Sequence, residues 1–219
     1  MASGRDTAAH LLLLYALGVS APVGFTHKKG FEVITRTLTG LSCAALLVLG
    51  SGCAIQAPPY QPSINNVSAL KRDTTQSVSV GKFAAPATPG AAASIGLRGS
   101  SMSSPVGASF ADYLASALQA ELALAQRFDN GSKVNVSGAL LATDVDTAIG
   151  TASGFIEARF VVTRDGQVRF DKVKRGTHQW DSSFAAAVAV PAAQNAYPVI
   201  VQNLLSNLFS DADFLSALK

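Results

Sequence analysis

The residue whose position most directly suggests chemistry is Cys53, a thiol at the end of an uncharged stretch. Three basic residues, Lys28, Lys29 and Arg36, precede residues 37–52, which end in small side chains. A basic region, an apolar region and small residues before a cleavage point are typical of an export signal. The stretch is also near the ~20 residues that span a bilayer. An uncleaved membrane anchor is therefore the alternative, although its Thr, Ser and Gly residues disfavour a permanent span.

The run Leu47-Val-Leu-Gly-Ser-Gly-Cys53-Ala54 resembles a bacterial lipobox. The resemblance implies that the Cys53 thiol carries a diacylglycerol and that the chain is cut before it and acylated there. Several acyl chains hold a protein stably on a membrane, since each buried CH₂ contributes about 0.8 kcal/mol. In Gram-negative proteins of this class an Asp after the cysteine favours the inner membrane. Ala54 therefore implies the outer membrane, with the folded part in the periplasm.

Four parts are expected along the chain. Residues 1–27 are a doubtful N-terminal extension, because export signals begin close to their basic residues. Residues 28–52 form the signal peptide. Residues 53–76 contain several Pro and Asn residues without a sustained period, which favours an extended, lipidated tether. Residues 77–219 form a single domain of roughly 140 residues, enough for one core.

The charge balance argues against a nucleic-acid partner. Four of the 17 basic and two of the 14 acidic residues precede Cys53, so the mature chain is nearly neutral. A near-neutral domain lacks the basic patch that nucleic-acid binding needs. Cys43 lies in the signal and Cys53 is the lipid site, so neither a disulfide nor a thiolate ligand is expected in the domain.

Catalytic and metal-binding motifs are weak. His178 is the last of three histidines and stands alone in the mature chain. The run Ser79-Val-Gly-Lys82 matches S-x-x-K, but it lies on a predicted strand and neither S-D-N nor K-T-G follows. Asp144 and Asp146 have too few neighbouring oxygen ligands for Ca²⁺. We predict no catalytic residue, no metal site and no cofactor, and hence no enzyme.

Hydrophobic periodicity predicts an α+β domain. Alternation favours strands at 77–83, 133–143, 154–164 and 167–179, whereas four-residue spacing favours helices after Ser109 and after Pro191. Ser109 and Asp112 form a helix-capping pair, and Ser210 with Asp213 are predicted to cap a short final helix. The order β-α-β-β-β-α predicts an antiparallel sheet of about four strands with two main helices on one face.

Asp165-Gly166 is a strong hairpin signal between the last two strands. A two-residue turn there pairs Thr163 with Val168. Continued without interruption, the same register pairs Val161 with Phe170 and Glu157 with Lys174, an opposite-charge contact. The other face then carries four apolar residues that should meet the helices: Ile156, Ala158, Phe160 and Val162.

Partner-binding residues are predicted in two segments. The stretch 84–107 reads as a long loop that is either disordered or functional, and Arg98 and Met102 are its candidate contacts. Trp180, the single tryptophan, lies beside a sheet-to-helix connection. It is either a partner hot spot or a packing residue.

The run 109–122, then Arg127-Phe128 and Val136-Ser-Gly-Ala-Leu140, is similar to small envelope lipoproteins. These include the YajG-like lipoproteins, the auxiliary lipoproteins of ABC-type lipid transporters, and the LpoB-type activators of penicillin-binding proteins. The resemblance implies a non-enzymatic adaptor or scaffold for a periplasmic or membrane complex. A carrier of lipid or another small ligand between membranes is the alternative.

Overall fold

The computed structural model describes residues 54–73, 76–88 and 92–219 of the chain. The predicted lipid site at Cys53, the signal peptide and the extension 1–27 lie outside the described residues. The elements are β1 (Ala54–Gln56), α1 (Ile64–Asp73), β2 (Ser79–Ala84), β3 (Ser94–Leu97), β4 (Ser100–Ser103), α2 (Phe110–Leu124), β5 (Val134–Asp146), β6 (Gly150–Arg164), β7 (Gln167–Ser182), α3 (Ala186–Phe209) and α4 (Ala212–Ala217).

The larger sheet has four strands in the order β2-β5-β6-β7, and the predicted α+β class is confirmed. Strands β5, β6 and β7 pair antiparallel, whereas β2 pairs parallel with β5. The prediction of a wholly antiparallel sheet was therefore wrong for that pair. The chain between β2 and β5 includes a hairpin and α2, and a crossover of this length allows two strands to run parallel.

The segment 54–73, which makes up most of the predicted tether 53–76, is folded, and that prediction was wrong for it. Its first residues form β1, which pairs parallel with β4 in a three-stranded sheet β1-β4-β3. Its later residues form α1, where Leu70 is fully buried and Val67 nearly so. The folded domain therefore includes residues 54–73 as well as the residues after 77.

The stretch 84–107 is likewise structured over much of its length. Its residues 94–103 form the β3–β4 hairpin, and Ile95, Leu97 and Met102 enter the core. Ile95 and Leu97 alternate with exposed residues, as the period of a strand requires. The expectation of a long loop, either disordered or functional, was wrong for residues 94–103.

Helices α2 and α3 cover one face of the larger sheet. The predicted core face of β6 is confirmed, because Ile156, Ala158, Phe160 and Val162 are all fully buried. The capping box of α2 is confirmed too: the Ser109 hydroxyl accepts from the Asp112 amide, and the Asp112 carboxylate accepts from the Ser109 amide at 3.1 Å. Local sequence therefore determines where α2 begins.

The turn at Asp165-Gly166 is confirmed, with positive φ at both residues and Thr163 paired with Val168. A bulge follows, so that Val162, not Val161, pairs with Phe170. Beyond it Glu157 pairs with Arg175 instead of Lys174, and their charged atoms lie 3.2 Å apart. The predicted register was wrong by one residue because the extra residue of a bulge leaves no local signal.

Two helix starts also differ from the prediction. Helix α3 begins at Ala186, so Pro191 and Pro198 both lie inside it, where each lacks the N–H for an intrahelical bond. Helix α4 is capped by Asp211, not Ser210: its carboxylate accepts from the amides of Asp213 and Phe214.

In the described ranges no helix is both long and apolar enough to cross a bilayer.

Candidate functional site

The candidate site begins at the turn between β3 and β4. Leu97 pairs with Ser100, which leaves Arg98 and Gly99 as a two-residue loop. Both have positive φ, 36° and 83°, as the mirror-image turns of tight hairpins require. The turn aims the Arg98 side chain away from its own hairpin and toward two other loops.

The Arg98 guanidinium joins these two loops by charge-assisted hydrogen bonds. Its Nη1 donates to the carbonyl oxygens of Ser183, at 2.7 Å, and Phe184, at 3.0 Å. Its Nη2 donates to the carbonyl oxygen of Thr147. Arg98 thus ties the β5–β6 turn to the β7–α3 connection. It was predicted as a partner-binding residue, and the structure shows it bound within its own chain.

Three large apolar side chains project from the elements that Arg98 joins. Ile149 is 72% exposed, Phe184 is 81% exposed and Val188, in the first turn of α3, is 58% exposed. We call these three residues the apolar tip. No charged residue occurs at 182–210, nor between Asp146 and Glu157. Exposed apolar surface without charge is the kind of surface that proteins cover with a partner or a membrane.

The first described residue lies close to the Arg98 turn. Ala54 pairs with Ser101, only three residues along β4 from Arg98, and Ile55 pairs with Met102. The Nε2 of Gln194 in α3 donates to the carbonyl oxygen of Gln56, which places β1 beside the N-terminal half of that helix. The first described residue therefore lies at the end of the domain that carries the apolar tip.

Met102 is fully buried between β1 and β3, so its prediction as a partner-binding residue was wrong. Trp180 pairs with Ala152 on β6 and is half-buried against the core. Its ring stacks on His178 with centroids 5.8 Å apart, and no acceptor among the described residues reaches its buried Nε1. Of the two readings of Trp180, the packing role fits this position.

A buried carboxylate holds the segment that follows β1. Glu121 on α2 is fully buried. One of its oxygens accepts from the Tyr60 hydroxyl at 2.6 Å, the Ser63 amide at 3.0 Å and Asn66 Nδ2 at 3.1 Å. No donor in the described ranges reaches its other oxygen. Sequence reasoning missed this cluster, because Glu121 is more than 50 residues from each of its donors along the chain.

Aromatic residues enclose the same region. Tyr113 donates to the carbonyl oxygen of Pro58 at 2.9 Å, and its ring lies against those of Tyr60 and Tyr197. Burial raises the pKa of Tyr113 and Tyr197. Burial, and then the hydrogen bond to Glu121, raise the pKa of Tyr60. All three phenols therefore stay protonated and act as hydrogen-bonding groups at neutral pH.

The residues considered for catalysis are placed in structural roles. Ser79 lies on β2, as predicted, and its hydroxyl donates to the carbonyl oxygen of Val134 at 3.1 Å and accepts from Asn135 Nδ2 at 3.0 Å. Asp144 and Asp146 lie on β5, not in a turn. Within the part of the chain described here, no three His, Cys, Asp or Glu residues are grouped as metal ligands would be.

No family model matches the chain, and no curated protein matches it. A crystal structure of protein XCC0632 from Xanthomonas campestris, of the family DUF330, is similar over 75% of this chain and 93% of that chain. The sequence identity is 15% and the TM-score is 0.49.

Proposed function

We propose that this protein is an envelope lipoprotein held on the outer membrane by lipid at Cys53. Its domain then lies in the periplasm and acts as a non-enzymatic adaptor for a periplasmic or membrane complex. The order of basic, apolar and small residues before Cys53 supports the anchorage.

The filled interior is the observation that carries the adaptor role. A carrier needs a large apolar cavity between the sheet and the helices. That space is occupied by fully buried side chains, among them Phe110, Phe160, Tyr197, Ile200 and Leu204. A cleft of about 490 Å³ lies instead on the outside, along β6 and β7.

The outer face of the sheet is suited to a protein partner. Val173 is 51% exposed there. The Arg175 guanidinium lies 3.8 Å from the Phe155 ring centroid and 3.2 Å from the Glu157 carboxylate. Apolar side chains between paired charges offer both contact area and orientation to a docking protein.

Two measurements test the anchorage. Cys53→Ser should abolish labelling by radioactive palmitate and leave the precursor uncut. The control Cys43→Ser changes a thiol in the signal and should leave labelling unchanged. Equal labelling of the Cys53→Ser variant and the wild type would refute the anchorage. Separation of inner and outer membranes by density then tests the outer-membrane location that Ala54 implies.

A photo-crosslinking amino acid at Val173 tests the adaptor role in living cells. We expect a discrete cross-linked protein from Val173. None is expected from Leu124, which is 54% exposed on α2, the helix that covers the other face of the sheet. A stoichiometric lipid bound to the purified protein, with no cross-link from Val173, would favour the carrier alternative instead.

A further inference from the structure

We propose that the apolar tip, formed by Ile149, Phe184 and Val188, inserts into the interfacial region of the bilayer that holds the lipid anchor. The inference rests on the proposed lipidation of Cys53 and deepens it. It assigns a membrane-contacting surface to the folded domain in addition to the acyl chains.

Folded structure replaces most of the predicted tether. Strand β1 starts at Ala54, the residue directly after Cys53, and is bonded to β4 along its whole length. Consecutive Cα atoms are about 3.8 Å apart, so no flexible spacer separates a lipid on Cys53 from the folded domain. The end of the domain where Ala54 lies must then rest at the membrane surface.

The surface at that end of the domain is apolar. The apolar tip lies on two connections and the first turn of α3, which contain no charged residue, and Ala186 and Ala187 beside it are also exposed. Insertion into the boundary between headgroups and acyl chains is driven by buried apolar area. Arg98, beside the apolar tip, directs its guanidinium to carbonyl oxygens of the domain. Attraction to anionic headgroups is therefore not required.

Hydrogen bonds from Arg98 hold the loops of the apolar tip together. Arg98 fixes the backbone at Thr147 and Phe184, so Ile149 and Phe184 project from loops that are held together. Gly150, with a φ of 88°, completes the β5–β6 turn in a conformation that favours glycine. A surface whose side chains are already in place loses little conformational entropy when it enters the membrane.

Single labels on the full chain test this inference. In a Cys43→Ser background, a cysteine at position 149 or 184 is coupled to an environment-sensitive fluorophore. The lipidated protein is then placed in phosphatidylethanolamine/phosphatidylglycerol vesicles. The control is a cysteine at Val168, an exposed valine beside the β6–β7 turn at the other end of the sheet.

We expect blue-shifted emission, quenched by brominated lipids, from labels at positions 149 and 184 and unshifted emission from position 168. A label at exposed Ala187 provides a second readout. Its quenching should fall when Ile149→Ser and Phe184→Ser are combined, because these changes remove apolar area that drives insertion.

The outcomes separate this inference from the anchorage. One label per chain shows that the Cys53 thiol is not free, as the anchorage requires. If labels at positions 149 and 184 then emit as they do in water, the apolar tip is not in the membrane, and only the inference is overturned. A tip that contacts only a protein partner gives this same result, since the vesicles contain none. Two labels per chain would reveal a free Cys53 thiol and overturn the anchorage, together with the inference that rests on it.

Discussion

Glu121 is the residue that most directly fixes the segment after β1 to the rest of the domain. Its carboxylate accepts three hydrogen bonds from residues 60–66 while fully buried. Removing it leaves buried donors without an acceptor, at about 1–3 kcal/mol for each. We expect Glu121→Ala to lower the free energy of unfolding by about 3 kcal/mol in urea titrations.

The matched control is Glu157→Ala on the partly exposed outer face of the sheet. Its ion pair with Arg175 is at the surface, so the change should cost less than about 1 kcal/mol. Similar unfolding midpoints for the two variants would contradict the role of Glu121 in fixing residues 60–66 to the rest of the domain.

Asp211 makes stability depend on pH. The hydrogen bond from Lys174, at 2.5 Å, holds its pKa well below the ordinary value of 3.8; the Asp213 amide and Lys172 add to the effect. Because the folded-state pKa is depressed, the stabilisation is present above that ordinary value and is lost as pH falls toward the folded-state pKa.

Asp211→Asn should keep the cap of α4, since Asn also caps helices, but lose the charge. We expect it to be about 1 kcal/mol less stable than wild type at pH 7, with the difference closing below pH 3.8. Chemical unfolding at several pH values measures this. Asp213→Asn, whose side chain is 73% exposed, should show little difference; a pH-independent gap for Asp211→Asn would contradict the prediction.

At the scale of elements, the contact between α3 and β7 depends on Gly176. A Cβ at this position would lie 2.4 Å from the Leu204 amide nitrogen and 2.6 Å from the Ile200 carbonyl oxygen. The helix backbone cannot move aside as a side chain can, so we expect Gly176→Ala to cost about 2–3 kcal/mol. The control is Gly96→Ala, because its Cβ would meet nothing within 4 Å. Equal thermal midpoints would show that α3 does not approach β7 so closely.

The elements that the sequence predicted are those with local signals. The capping box of α2, the Asp165-Gly166 turn and the apolar face of β6 each depend on residues near one another in the chain. Helix α1 was missed because only Val67 and Leu70 mark its buried face, and their neighbours come from distant elements. The β3–β4 hairpin was missed because its short strands are flanked by Ala, Pro, Gly and Ser.

The candidate site was predicted only in part, for the same reason. Arg98 was selected as a residue of interest, but its acceptors lie 49 to 86 positions further along the chain. The periodicity of one segment contains no information about which loops meet in space. The exposed positions of Ile149 and Phe184 follow from those long-range contacts.

At the scale of the whole molecule, residues 54–73 are part of the folding unit. They supply Ala57, Val67 and Leu70 to the core and the three donors to Glu121. We expect residues 54–219 to unfold in a single cooperative transition, and residues 77–219 to melt at a markedly lower temperature. Circular dichroism with heating compares the two.

The control variant keeps the full length of residues 54–219 and removes only core contacts of the segment 54–73. Leu70→Ala in residues 54–219 should cost about 2–5 kcal/mol, as large-to-small changes at buried sites do. If residues 77–219 melt at the same temperature as residues 54–219, the segment 54–73 does not contribute to the core.

The length of the β6–β7 hairpin has a consequence for where partners can meet the protein. Strand β7 has 16 residues, which at about 3.3 Å each gives roughly 50 Å between the ends of the hairpin. One end lies beside the apolar tip and the other is the turn at Asp165-Gly166. A domain standing on its tip would hold that turn at a fixed height above the lipid, as a rigid spacer. The length of the strands would set this height. A partner that binds the turn would then have to lie within that height of the membrane.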